Sequence, residues 1–288
     1  MAQAAEAAAG AGVGEGRLGL TTPRYVARSP GVSSIRNVPV DWAVLQVIIV
    51  LFVATLVRSS LGFGEALFAV PLLAMTMPVE EAAPLAVLVS ITVAFLILLQ
   101  DWRSVHARSA GWLVVFTLLG IPLGLLLLRT VSESAVKGIL GAIIIAFSMY
   151  SWTGHHRHTW KDDRFAWLFG FHAGVLGGAY GMNGPPLAIY GALRGWTPEY
   201  FRATLQAYFF PASLASMAGY SFAGFWTPAV THLYVVSLPG VVIATFLGRS
   251  LHRRIPGPRF IRYVYIALNA IGAVLLLQAI TGWSKVLR

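Results

Sequence analysis

Gly181-Met182-Asn183-Gly184-Pro185-Pro186-Leu187-Ala188-Ile189-Tyr190 interrupts a long apolar stretch with a glycine-rich break that leads into a short apolar segment. Gly62-Phe63-Gly64-Glu65-Ala66-Leu67-Phe68-Ala69-Val70-Pro71 does the same in the first half of the chain. The surrounding sequence reads as membrane-spanning helix. Lipid gives a free backbone N–H or C=O no partner, so irregular backbone persists there only around a protein-lined or watery cavity. Broken helices at matching positions of two repeats mark the binding site of a transporter.

Working outward, 57% of the 288 residues are hydrophobic and 11% are charged. The mean hydropathy is +0.71. These values lie outside the range of soluble domains and predict an all-α polytopic membrane protein. Apolar segments run at about 42–60, 62–77, 84–100, 111–128, 135–153, 165–180, 184–194, 202–223, 230–248 and 260–281. A full span needs about 20 residues. The second and seventh segments are therefore half-helices or partners of the segment before them, and eight to ten full spans are expected.

A shift of about 119 positions places Gly62 on Gly181, Ala69 on Ala188 and Glu80 on Glu199. With one residue of slippage Pro78 meets Pro198, Gly120 meets Gly240 and Arg129 meets Arg249. The reading is a duplication: repeat 1 at 41–153, a connecting loop at 154–164 and repeat 2 at 165–283. Each repeat has five segments. If all of them cross the membrane, the odd number inverts one repeat relative to the other, whereas four crossings would leave them parallel.

The formal net charge is +10. No basic run lies outside the short loops, which excludes nucleic acid as a partner. Basic loops set membrane orientation and meet anionic lipid headgroups. With ten crossings and the N-terminus outside, about thirteen of the 21 Lys and Arg share one side, Arg58, Arg103, Arg108, Arg157, Lys161, Arg194 and Arg202 among them. Arg129 and Lys137 fall in short loops on the other. Residues 1–40 carry arginines and prolines but no apolar run, so they read as a disordered tail and not a secretory signal. An organelle transit peptide shares that Arg-rich, acid-poor composition.

Cysteine is absent, which removes disulfides and thiolate chemistry. His155, His156 and His158 form a histidine group in a basic loop, with no carboxylate to complete a metal site. Glu133, Asp162 and Asp163 read as loop charges. No HExxH, GxSxG or phosphate-binding loop is present, so neither catalysis nor a cofactor is implied.

The candidate substrate-binding residues are Gly62, Gly64, Gly181, Asn183, Gly184 and Gln206. Glycines at a break let backbone N–H groups face a cavity, and helix N-termini favour an anion. Pro185 is preorganised to open a half-helix. Gly177 and Gly178 fit tight helix packing better. Glu65 stands out as a carboxylate inside an apolar segment, where an ionisable group is costly and commonly functional. It could carry a coupling proton, or it could be a solvated charge at a cavity mouth. An anion carrier needs it protonated, paired or out of the path. His172 and Asn269 read as helix-to-helix glue.

At its two breaks the chain resembles the TauE/SafE, or sulfite exporter, family of membrane transporters. The resemblance covers about residues 42–283. It rests on Gly62-x-Gly64 with Val70-Pro71-Leu72-Leu73 and Met77-Pro78 in the first half. In the second half it rests on Gly174, Gly177-Gly178, Gly181-x-x-Gly184-Pro185-Pro186 and Thr197-Pro198. The family usually has further glycines after the first pair, where this chain has Glu65-Ala66. The resemblance implies a secondary transporter of the cytoplasmic membrane that moves a small, sulfur-containing anion such as sulfite or an organosulfonate. A membrane-embedded enzyme or assembly subunit acting on a lipid or partner is the alternative from another class.

Overall fold

A computed structural model describes residues 40–101, 107–152, 162–252 and 257–281. The N-terminal tail, the histidine group at 155–158, Arg103, Arg157 and Lys161 lie outside the described residues, as does the side chain of Glu133. The described chain forms ten helices and no strand: α1 (Val40–Leu61), α2 (Glu65–Ala74), α3 (Val79–Asp101), α4 (Ala107–Thr130), α5 (Glu133–Trp152), α6 (Ala166–Tyr180), α7 (Gly184–Leu193), α8 (Pro198–Ala223), α9 (Pro228–His252) and α10 (Gly257–Thr281).

They correspond one for one with the ten apolar segments, because hydropathy decides where a helix can sit in lipid. Four of them, α1, α3, α4 and α9, are long and apolar enough to cross a membrane. The second and seventh have ten residues each. At 1.5 Å per residue each reaches about 15 Å, half of a hydrocarbon core about 30 Å thick.

Glycine makes the breaks possible. Gly62 and Gly64 have φ of +88° and +100° and Gly181 has +66°. Side chains with a Cβ avoid this region. The Gly181 N–H closes α6 on the Gly177 carbonyl at 2.9 Å, a left-handed cap of the helix end.

α4 and α6 pack along a seam of glycines. A Cβ at Gly174 would stand 2.2 Å from the Thr117 carbonyl oxygen, one at Gly120 2.2 Å from that of Phe171, and one at Gly178 2.3 Å from that of Ile121. The two backbones therefore touch directly, the arrangement small residues allow between membrane helices. Gly178 is thus a packing glycine, as its sequence setting suggests. The Gly174→Ala variant is expected to lose about 3 kcal/mol of stability through overpacking. Thermal unfolding of the purified variant in detergent checks this, and a melting temperature equal to wild type would contradict the close seam.

The helices pair in a regular scheme. α1 packs on α9 as α6 packs on α4, while α5 lies on α10 and α3 on α8. Two clusters of buried apolar residues result, one around α1 to α3 and one around α7 and α8.

Candidate functional site

The two breaks meet. Gly64 and Glu65 from the first and Met182 and Gly184 from the second line one cavity, closed by Arg58 from α1, Ser90 from α3 and Phe209 from α8. Its volume of about 20 Å³ has room for one water molecule. The N-termini of α2 and α7 both begin there, so two sets of partial positive charge face it.

Arg58 sits in the last turn of α1. Its carbonyl accepts from the Gly62 N–H at 2.6 Å. The turn through Gly62 and Gly64 then swings Glu65 back onto it. Arg58 Nη1 donates to Glu65 Oε2, forming a salt bridge between side chains 3% and 2% exposed. Nη1 also reaches Ser90 Oγ at 2.7 Å, and Nη2 donates to Gln206 Oε1 at 2.8 Å. Gln206 Nε2 donates to the Gly62 carbonyl at 2.7 Å, and Ser213 donates to Ser90 at 3.2 Å. The guanidinium lies 4.8 Å from the centre of the Phe209 ring, within cation–π range.

Glu65 is therefore a buried, paired carboxylate, not a solvated mouth charge. Burying two charges costs several kcal/mol each, which attraction and added hydrogen bonds must offset. Here the offset is incomplete: Arg58 Nε and Glu65 Oε1 are buried without a hydrogen-bond partner among the described residues.

The other sequence candidates divide. Gly62 contributes its carbonyl to Gln206, and Gly64 and Gly184 line the cavity. Gly181 turns towards α3, where a Cβ would lie 3.0 Å from the Ala83 carbonyl oxygen. Asn183 is buried but faces Gly177 and Tyr208 instead of the cavity lining. Gly177 leaves the room that the Asn183 amide fills: a Cβ there would stand 2.9 Å from Nδ2. His172 is exposed and bonds the Leu168 carbonyl of its own helix at 2.8 Å, so it does not join two helices.

Three charges read from sequence as loop charges lie elsewhere. Arg58, Arg202 and Lys137 are buried within helices, with 2%, 6% and 3% of their surface exposed. Asp163 is also not a free loop charge. Its Oδ1 accepts from Tyr190 at 2.6 Å and from Ser109 at 2.8 Å, and Arg194 lies 3.4 Å away. This cluster ties the end of α7 to the start of α4. The Asp163→Ala variant is expected to lose about 1–3 kcal/mol, since it strands the buried Tyr190 hydroxyl. Urea or thermal unfolding checks the loss, and unchanged stability would show that the cluster contributes nothing.

The sequence signal for Arg58 is its place seven residues before the intramembrane Glu65, across a glycine turn that folds the chain back. Among the described residues no group of three His, Asp or Glu is placed to hold a metal ion.

Comparison with known proteins agrees with the helical pattern. The family model described as sulfite exporter TauE/SafE matches residues 47–276. A protein of Cupriavidus necator described as a probable sulfite/organosulfonate exporter TauE is 29% identical over 187 residues, covering 64% of this chain and 71% of that protein. No solved structure matches the chain.

Proposed function

Because the chain belongs to the sulfite exporter TauE/SafE family, and so is a multi-pass membrane transporter and not an enzyme, we propose that it carries a small sulfur-containing anion across the cytoplasmic membrane by alternating access. The observation that carries this reading is Arg58, a buried cation at the meeting point of two broken helices. A positive group, a hydroxyl and two helix N-termini converge on one small cavity, which is the chemistry an oxyanion requires.

The site consists of Arg58, Glu65, Ser90 and Gln206, framed by Gly62, Gly64 and Gly184. Asn183 holds the second break in place from behind. Glu65 is the proton carrier of the cycle. No nucleotide-binding motif lies on the chain, so ion gradients or the membrane potential supply the driving force.

Two copies of one fold, related by inversion, frame the site. In support, α1 on α9 mirrors α6 on α4, and each copy has five helices. Under the shift of 119 residues, Glu65 corresponds to Gly184 and Ser90 to Phe209, and all four line the cavity. Arg58 corresponds to Gly177, so the cation comes from one copy alone.

Counterflow of labelled sulfite and sulfonates in proteoliposomes tests the function. Wild-type protein should exchange at least one of them well above protein-free vesicles, and Arg58→Gln/Glu65→Gln should exchange none. Absence of counterflow in wild type across sulfite, methanesulfonate, sulfoacetate and taurine would end the reading.

A further inference from the structure

We propose that the Glu65 carboxylate is a tethered stand-in for the transported anion, seated in an oxyanion site that a singly charged substrate takes over when Glu65 releases it. The proposal deepens the transporter reading and rests on it.

Four observations lead there. The carboxylate bonds a guanidinium that is itself held in place from two other helices, by Ser90 of α3 and Gln206 of α8. That guanidinium is a fixed seat for two oxygens, and a carboxylate and a sulfonate both present such oxygens. The seat is not filled well: among the described residues Arg58 Nε and Glu65 Oε1 have no hydrogen-bond partner, although both residues are almost fully buried. Ser90 has a hydroxyl proton to give, since its oxygen already accepts from Arg58 and from Ser213. Finally, the cavity beside the pair holds no more than a water molecule, so a sulfonate fits only by replacing the carboxylate.

Charge then decides what enters. Arg58 is the charged group that acts on Glu65. The other helices around it present Ser90 from α3, Gly184 from α7 and Phe209 and Gln206 from α8. Arg202 of α8 lies against Gly62. α5 offers Phe147, packed on Phe63, and its Lys137 is ten residues back, about 15 Å along the helix. Residues 268–281 of α10 carry no charged side chain. One positive charge balances one negative charge, so a monoanion at Arg58 requires Glu65 to take a proton from water. One anion and one proton then move together with no net charge. A dianion leaves an unbalanced negative charge in a buried site and is excluded.

The test uses the full-length protein in nanodiscs, with acetate, methanesulfonate (a monoanion) and sulfoacetate (a dianion near neutral pH) as probes. Acetate should raise the melting temperature of Glu65→Ala, by restoring the missing carboxylate, and leave wild type unmoved. Methanesulfonate should bind Glu65→Gln about tenfold more tightly than wild type at pH 8, a gain of about 1.4 kcal/mol. Wild-type affinity should rise towards that of the variant as pH falls, and sulfoacetate should bind more weakly than methanesulfonate throughout. Arg58→Gln/Glu65→Ala, in which no charge is left unpaired, should lose both the acetate and the methanesulfonate response.

Methanesulfonate affinity in Glu65→Gln equal to or below wild type, with no acetate response in Glu65→Ala, would overturn the proposal. If wild type still shows counterflow of sulfonates in that case, the transporter reading survives and only the stand-in role falls. If wild type shows no counterflow but acetate and methanesulfonate respond as described, the oxyanion site stands and the transport reading fails.

Discussion

Arg58→Gln should destabilise the protein by about 3–5 kcal/mol, and Arg58→Gln/Glu65→Gln should recover most of that loss. The single variant strands a carboxylate that is 2% exposed, with its main donor gone. The double variant leaves two neutral amides that can bond each other, Ser90 and Gln206. The asymmetry follows from the cost of an unpaired buried charge, which exceeds the net value of the pair itself. Chemical or thermal unfolding of purified protein in one detergent measures both. Equal losses in the single and double variants would show that shape, not charge, holds the site together.

Glu65→Gln should abolish proton-driven accumulation of substrate while exchange of one substrate molecule for another continues. The amide keeps the volume and hydrogen-bonding capacity of the side chain but cannot gain or lose a proton. Net transport needs the emptied carrier to return with Glu65 deprotonated and paired to Arg58, whereas exchange needs only a loaded carrier. The variant should also depend on anions for stability, since Arg58 then has no other counter-charge. Flux in proteoliposomes at several pH values distinguishes the modes. Normal proton-driven flux with the wild-type pH profile would remove Glu65 from the coupling mechanism.

The order and extent of the helices could be read from hydropathy and glycine, because lipid leaves the backbone few choices. Glu65 and Gln206 stood out as polar groups in apolar surroundings, and both belong to the buried network. Arg58 did not stand out. A cation near a helix end ordinarily marks the membrane surface, and α1 ends inside the protein. Arg202 and Lys137 misled in the same way. The glycines at 62, 64, 181 and 184 announced a turn, but not which side of it would face the cavity. That depends on the backbone dihedral angles of each turn and on the α3 and α8 surfaces that receive it, neither of which leaves a periodic signal. Asn183 shows the result: the polar residue of the second break looks away, and its neighbours Met182 and Gly184 line the site.

The glycine seam between α4 and α6 has a mechanical consequence. An interface made of side chains is compliant, because rotamers can shift and absorb a displacement. Along Gly120, Gly170, Gly174 and Gly178 backbone rests on backbone, and no rotamers are available to yield. Such a joint is stiff to small loads and gives way only by separating. α6 ends at Gly181, beside the cavity, so any push delivered there reaches α4 undamped. The two helices are therefore expected to move as one rigid pair.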